Sequence, residues 1–197
     1  MIAMLLLAGA VVVAQAGPPP AQAPTTENRA PVPVQPPPAS EPAEPGVDKL
    51  FAVAAMQGNA AEIDMANLAM RRGTANEVKM FAGMMLADHG GMMREMLPAL
   101  RRVLGAAAPP QRLAPPDALA MRHLEAVPAV DFDQSYVMQQ IGDHLATLAA
   151  FQTEADNGSD PQLKALARTW LPTIQSHLEL AVDVTKHVGG SSPFKSH

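Results

Sequence analysis

The fold of this chain is decided by one stretch, Phe81-Ala-Gly-Met-Met-Leu-Ala-Asp-His-Gly-Gly-Met-Met-Arg-Glu-Met96. Its apolar residues recur every three or four positions, which is the period of one face of an α-helix. A histidine lies on that face, which consists of Phe81, Met85, His89, Met92, Met96 and Leu100. The spacing therefore predicts a long helix over about 75–104 whose buried side carries an imidazole.

The sequence around this stretch predicts three more long helices, over about 49–71, 132–156 and 161–188, and a short helical piece at 117–126. No segment has the period of two that a half-buried strand requires. Two short turns and one long connection, at 105–131, join these helices. The pattern predicts an all-α, four-helix bundle with a long crossover between its second and third helices.

Three residue patterns predict how the helix ends are formed. Asp48 is a candidate N-cap for the first helix. Gly73 suits a left-handed cap at the end of that helix. The segment Thr74-Ala-Asn-Glu77 matches a capping box, which would start the second helix at once and give a tight antiparallel hairpin.

Composition and charge exclude several classes of function. The chain has 197 residues and a formal net charge of −5, and its basic residues occur as short pairs rather than as a patch. This distribution argues against nucleic acid as a partner. The absence of cysteine excludes disulfides, thiolate metal ligands and cysteine nucleophiles.

The first 46 residues predict export and a tether. Met1 to Val13 is almost wholly apolar and Ala14-Gln15-Ala16 fits a signal-peptidase site, so residues 1–16 are interpreted as a signal peptide, although no Lys or Arg precedes the apolar run. An uncleaved anchor is the alternative. Residues 17–46 hold eleven of the 20 prolines and predict a disordered linker. The bundle is expected over 47–189, with a disordered tail at 190–197 and no integral membrane domain after signal cleavage.

Two later helices repeat the histidine arrangement. His144 in the third helix and His177 in the fourth lie on apolar stripes near the helix midpoints, so both should share the level of His89. Glu62 of the first helix lies within a turn or two of that level. Imidazoles and a carboxylate that converge from four helices can bind a divalent metal. We therefore predict a metal site made of Glu62, His89, His144 and His177, with Asp88, Met85, Met92 and Asp143 as secondary candidates.

A purely structural polar cluster is the alternative interpretation of these histidines. A buried imidazole needs a hydrogen-bond partner, and Asp88, Asp143, Tyr136 or Glu62 could supply it. For a metal site, one transition metal ion is expected, and zinc, copper and iron all stay open. Nine of the 13 methionines lie between Met56 and Met96, but thioethers are common core fillers, and packing is the interpretation preferred here.

No motif in the sequence indicates catalysis. The chain has no phosphate-binding glycine loop, no G-x-S-x-G motif and no H-E-x-x-H motif. The segment Asp156-Asn-Gly-Ser-Asp160 is only faintly similar to a calcium loop, because its twelfth position is Ala167 rather than a glutamate. An enzyme is therefore the less favoured expectation, and the question stays open.

Several motifs resemble one bacterial family. They occur in order and at the expected spacing, and the similarity spans about residues 48–187: Phe51-Ala-Val-Ala-Ala, Ala61-Glu-Ile, Met85-Leu-Ala-Asp-His89, Phe132-Asp, Asp143-His144 and Leu171-Pro-Thr-Ile-Gln-Ser-His177. The family is an exported one of unknown function, labelled "predicted outer membrane protein" and placed in the ferritin-like group. The resemblance implies a ferritin-like four-helix bundle in the envelope of a Gram-negative bacterium, and it implies no established activity.

The resemblance does not extend to a di-iron site. Ferritin-like di-iron bundles use Glu-x-x-His on two helices, but Leu86 stands three residues before His89 and Ile174 three residues before His177. A mononuclear site, or no metal, fits better. We expect an exported, periplasmic bundle that binds a transition metal for storage, buffering or sensing. The alternative is a non-enzymatic envelope or stress-response protein that acts through protein contacts, and an envelope partner and the oligomeric state stay open.

Overall fold

The computed structural model describes residues 46–105 and 113–188, which form five helices and no strand. They are α1 (Val47–Arg72), α2 (Asn76–Leu104), α3 (Pro115–Ala126), α4 (Ala129–Asn157) and α5 (Pro161–Val188). The predicted all-α class is confirmed. The count differs from four because α3 is a regular 12-residue helix inside the predicted crossover, with prolines at its first positions.

The predicted signal peptide (1–16), the tail (190–197) and the linker (17–46), apart from Gly46, lie outside the described residues. None of the five helices that the structure describes combines the length and the apolar character that crossing a membrane requires.

The four long helices enclose one core. α1 packs against α2 and α4, and α5 packs against α4 and α2, so the cyclic order is α1, α2, α5, α4. The short α3 packs on α1 and α4. Arg72, at the end of α1, holds α3 in place, because its guanidinium donates to the backbone carbonyls of Leu124, Glu125 and Val127.

The turn between α1 and α2 is held by Asp133 of α4 rather than by the predicted capping box. The Asp133 carboxylate accepts hydrogen bonds from the backbone N–H groups of Thr74 and Ala75 at 3.0 and 2.8 Å, and from the Thr74 hydroxyl at 2.5 Å. The N-cap residue of α2 is Ala75, and no side-chain hydrogen bond caps the start of this helix. A carboxylate is a stronger acceptor than a threonine hydroxyl, since its hydrogen bonds are charge-assisted.

The glycine in this turn is needed for space and not for a left-handed backbone. Gly73 has a φ of −55°, so the predicted left-handed cap is wrong. A Cβ at this position would lie 2.6 Å from the carbonyl oxygen of Ala69 and 3.1 Å from a methyl of Val78. The carbonyl oxygen of Ala69 in α1, together with Val78 of α2, therefore leaves no room for a side chain here.

Asp48 also differs from its predicted role. α1 begins at Val47 without a side-chain cap. The Asp48 carboxylate instead accepts hydrogen bonds from the backbone N–H groups of Ser159 and Asp160, at 2.7 and 3.0 Å, in the turn between α4 and α5. At the same end of the bundle, Arg102 of α2 forms a salt bridge with Asp160 at 2.7 Å. The start of α1 and the end of α2 are thus tied to the α4–α5 turn.

The buried apolar residues form two clusters rather than one. We call them the Tyr136 cluster, which includes Met65, Phe81, Met85, Phe132, Tyr136 and Val137, and the Phe51 cluster, which includes Phe51, Met92, Met96, Phe151, Leu163 and Ile174. In α2, α4 and α5 one buried histidine lies between the residues of the two clusters. The core therefore has a polar layer across its middle.

Candidate metal centre

Three histidines from three helices meet in this polar layer. His89 of α2, His144 of α4 and His177 of α5 are 2%, 1% and 1% exposed. Their ring centroids lie 5.4 to 5.8 Å apart. One ring nitrogen of each lies within 4.8 Å of those of the other two. The prediction that the three imidazoles share one level inside the bundle is confirmed.

Each ring has one nitrogen held by an acceptor outside the cluster. His89 Nδ1 lies 3.0 Å from the amide oxygen of Asn59. His144 Nδ1 lies 2.8 Å from the backbone carbonyl oxygen of Gln140, one turn earlier in α4. Because these oxygens only accept hydrogen bonds, the ring nitrogen donates in both cases and carries the proton.

The third ring is oriented by a carboxylate. His177 Nε2 lies 2.9 Å from Asp88 Oδ2, and Asp88 precedes His89 in α2. A carboxylate in this position is a common orienting partner of metal-bound histidines. The other nitrogens of the three rings, His89 Nε2, His144 Nε2 and His177 Nδ1, are buried and have no hydrogen-bond partner among the described residues.

The electrostatic surroundings keep two of these rings neutral. Burial lowers the pKa of His89 to about 3, and the neighbouring His144 and His177 add to the effect. Burial also lowers the pKa of His144 to about 4 against the opposing effect of its hydrogen bond to Gln140. Both rings are therefore neutral at pH 7 and offer a lone pair, which is the form of histidine that binds metals.

The spacing is compatible with a metal ion after a small adjustment. Zinc–nitrogen bonds of about 2.0–2.1 Å place tetrahedral ligand nitrogens about 3.4 Å apart. One ring nitrogen of each histidine lies within 4.8 Å of those of the other two, so these nitrogens need to approach by at most about 1.4 Å on this estimate. Three ligands leave a fourth position open, as in catalytic or exchangeable sites rather than closed structural ones.

Glu62 lies beside the histidines but does not join the three free nitrogens. Its Oε2 accepts a hydrogen bond from Gln140 Nε2 at 2.8 Å, and its Oε1 lies 3.9 Å from His144 Nδ1, the nitrogen that already donates to Gln140. Burial, followed by the charges of Asp143 and Asp117, raises the pKa of Glu62 to about 8. The structure thus brings together three of the four predicted ligands and places the fourth next to the outer side of His144.

The secondary candidates divide into different roles. Asp88 orients His177, as described above. Met85 belongs to the Tyr136 cluster and Met92 to the Phe51 cluster, which agrees with packing as the main role of the methionines. Asp143 accepts hydrogen bonds from Gln139 at 2.9 and 3.0 Å, and burial raises the pKa of its carboxyl group.

Sequence reasoning missed two residues of the centre, Asn59 and Gln140. Asn59 is 6% exposed and Gln140 is fully buried. A signal was present for Asn59, because it is an uncharged polar residue three positions before Glu62 on an otherwise alanine-rich helix face. For Gln140 the signal was its place four residues before His144, where its backbone carbonyl can reach the ring.

A cavity of about 210 Å³ reaches the centre between α1 and α4. Its wall includes His89 and Asn59 on the inside and three carboxyl groups, Glu62, Asp117 and Asp143. The centre is therefore adjacent to internal space, although the rings themselves are buried.

Comparison with known proteins supports the fold. The structure is similar to the crystal structure of a DUF305 fragment from Deinococcus radiodurans, with a TM-score of 0.59 and 19% sequence identity over 75% of this chain and 99% of that chain. A likeness at this identity shows the fold alone. No curated protein matches the sequence. The family model of the domain of unknown function DUF4142 matches residues 33–184. The chain therefore belongs to the DUF4142 family, whose function is unknown.

Proposed function

We propose that this protein binds one transition metal ion through His89, His144 and His177 and holds it for storage, buffering or sensing. The observation that carries the proposal is the hydrogen bonding of the three buried rings, each with one nitrogen engaged by an outer acceptor and the other without a partner. Imidazoles with a free ring nitrogen are ligands for zinc, copper and iron. A bound ion would satisfy all three free nitrogens at once.

The same observation weighs against a purely structural role for the cluster. A structural cluster gains stability when its polar atoms pair, and each buried atom left unpaired costs about 1–3 kcal/mol. The partners considered for a structural cluster do not supply these bonds. The Tyr136 hydroxyl has no partner itself, and Glu62 lies next to a ring nitrogen that is already engaged.

We also infer that the bundle is ferritin-like and that the protein is exported to the periplasm of a Gram-negative bacterium. The cyclic packing of the four long helices, with a connection from α2 to α4, supports the first inference. The apolar run at Met1–Val13 with the Ala14-Gln15-Ala16 site supports the second. A periplasmic location is proposed in place of the outer-membrane label of the resembling family.

Metal analysis tests the binding proposal. Protein prepared without a polyhistidine tag would be equilibrated with zinc, copper and iron in separate samples, dialysed and measured for metal content. We expect one ion per chain for at least one of these metals. His144→Ala should lose the ion, because it removes one of three ligands.

The matched control is His187→Ala, which removes an exposed histidine near the end of α5 and should retain the metal. Wild-type protein that stays metal-free with all three metals would contradict the proposal. In that case a His89→Ala variant with a lower melting temperature would support the structural alternative.

Export has a separate test. The chain would be produced in a Gram-negative host, recovered from the periplasmic fraction and sequenced from its N-terminus. A mature chain that begins at Gly17 is expected. A chain that keeps Met1, or one found only in the cytoplasm, would contradict cleavage and export respectively.

A further inference from the structure

Small side chains on two helices create the cavity beside the metal centre. Ala54 and Gly58 of α1 face Ala146 and Thr147 of α4, and these four residues line the space. A Cβ added at Gly58 would meet no atom within 4 Å. The volume of about 210 Å³ is enough for several water molecules, since a cavity needs about 10–15 Å³ to hold one water.

The cavity connects partly exposed residues with the buried histidines. Ala54 and Ala146 are exposed, whereas His89 on the inner wall is only 2% exposed. His89 also carries one of the three buried ring nitrogens that have no partner. The cavity therefore leads towards a ring that has a nitrogen able to bind a cation and without a hydrogen-bond partner among the described residues.

The wall of the cavity is negatively charged. Asp117 and Asp143 line it, and its described lining contains no lysine or arginine. Carboxylates along a wall that contains no cationic side chain make the potential inside the cavity negative, and a negative potential attracts cations.

We propose that the cavity between α1 and α4 is the route by which a hydrated divalent cation reaches the three histidines, with Asp117 and Asp143 attracting it. This inference rests on the proposed metal binding. It names the form in which the metal arrives: an ion that keeps its water shell in the cavity and exchanges it for imidazoles at His89. A metal held by a bulky chelator or by a partner protein would have to be released first.

A plugged cavity tests the route. Gly58→Leu places a side chain into the open space and keeps a residue that favours helices. Its matched control is Gly83→Leu in α2, which also has no atom within 4 Å of an added Cβ but does not line the cavity. Cobalt(II) is the probe, and its uptake is followed in a stopped-flow instrument by the quenching of Trp170, the single tryptophan.

The route predicts slower exchange at unchanged affinity. In Gly58→Leu both association and dissociation of cobalt should slow, because the leucine side chain blocks the passage in both directions, while Gly83→Leu should match the wild type. Asp117→Asn combined with Asp143→Asn should slow association by about tenfold at low salt. That difference should shrink in high salt, because ions screen the carboxylates.

Asp64→Asn, an exposed acid of α1 outside the cavity, controls for the loss of charge and should leave the rate unchanged. Circular dichroism spectra and melting temperatures verify that every variant is folded. Cobalt uptake at the wild-type rate both in Gly58→Leu and in the combined Asp117→Asn and Asp143→Asn variant would overturn the route alone. It would point to entry from another face of the bundle, such as the one beside Asp88. No binding of cobalt, zinc, copper or iron to the wild type would overturn the metal-binding proposal and the route together.

Discussion

Each of the three buried histidines is oriented by a different kind of acceptor. Asn59 offers an amide oxygen, Gln140 a backbone carbonyl and Asp88 a carboxylate. Each acceptor fixes which ring nitrogen carries the proton and which stays free. The amide and the carboxylate can be removed by mutation, whereas the carbonyl of Gln140 is part of the helix.

Removal of the amide should weaken metal binding without removing a ligand. Asn59→Ala deletes the acceptor of His89 Nδ1, so the ring loses its orientation, and we expect an affinity about 10- to 100-fold lower. Isothermal titration with the metal identified by metal analysis measures the change. Asn67→Ala is the control, because Asn67 is an exposed asparagine of the same helix whose amide donates to the carbonyl oxygen of Ile63. Equal affinities for Asn59→Ala and the wild type would contradict the orienting role.

Glu62 should make the stability of the protein depend on pH. Its pKa is about 8 in the folded protein against an ordinary value of 4.5, so the folded state holds this proton more tightly than the unfolded state. The stabilisation that results is complete below pH 4.5 and is lost as the pH rises through 8. Glu62→Gln cannot ionise and should therefore gain stability relative to the wild type as the pH rises over this range.

Urea unfolding of the metal-free proteins at about pH 5 and about pH 8.5 measures this difference. Glu179→Gln, an exposed acid of α5, controls for the loss of one negative charge. A stability difference between Glu62→Gln and the wild type that stays the same at both pH values would contradict the raised pKa.

At the scale of helices and turns, the turn between α1 and α2 depends on a position without a side chain. Gly73→Ala would place a Cβ 2.6 Å from the carbonyl oxygen of Ala69 and should destabilise the protein, by about 1–3 kcal/mol. Gly142→Ala is the comparison, because it lies inside α4 with no atom within 4 Å of the added Cβ. It should stabilise the protein by about 0.5–1 kcal/mol, since alanine favours helices. Chemical unfolding of both variants measures the two effects, and a stabilised Gly73→Ala would contradict the steric argument.

The helices could be predicted from the sequence, but their end contacts could not. Apolar spacing alone located the long helices, because burial of one face determines that spacing. Asp48 was expected to cap its own helix, and no role was predicted for Asp133. Each instead caps a turn far away in the chain, 111 residues distant for Asp48 and 59 for Asp133. A sequence read in local windows cannot reveal such pairs, because they exist only once the bundle has formed.

The candidate metal centre could also be predicted only in part. The histidines lie near the midpoints of long helices, so their common level follows from helix geometry. The orientation of the Glu62 side chain does not follow from helix geometry, because a flexible side chain can reach several neighbouring polar groups. It pairs with Gln140, a residue whose burial the sequence did not indicate.

At the scale of the whole molecule, metal binding should raise thermal stability. An ion that binds only the folded state adds about 2.7 kcal/mol at a free concentration of 100 times Kd. For a domain of this size that corresponds to an increase in Tm of about 5–10 °C. Calorimetry with and without a chelator measures it, and His144→Ala should melt at the same temperature in both conditions. A wild-type Tm that is the same with saturating metal and with a chelator would contradict binding to the folded state.

The histidine layer between the Tyr136 cluster and the Phe51 cluster also determines how the helices align lengthwise. Their apolar stripes alone would tolerate some sliding, since leucine and methionine replace one another with little cost. A shift of one turn, about 5.4 Å, would drive an imidazole among methionine and phenylalanine side chains and separate it from its orienting oxygen. The three rings thus fix the register of the helices. A bundle without them would be expected to sample several neighbouring registers.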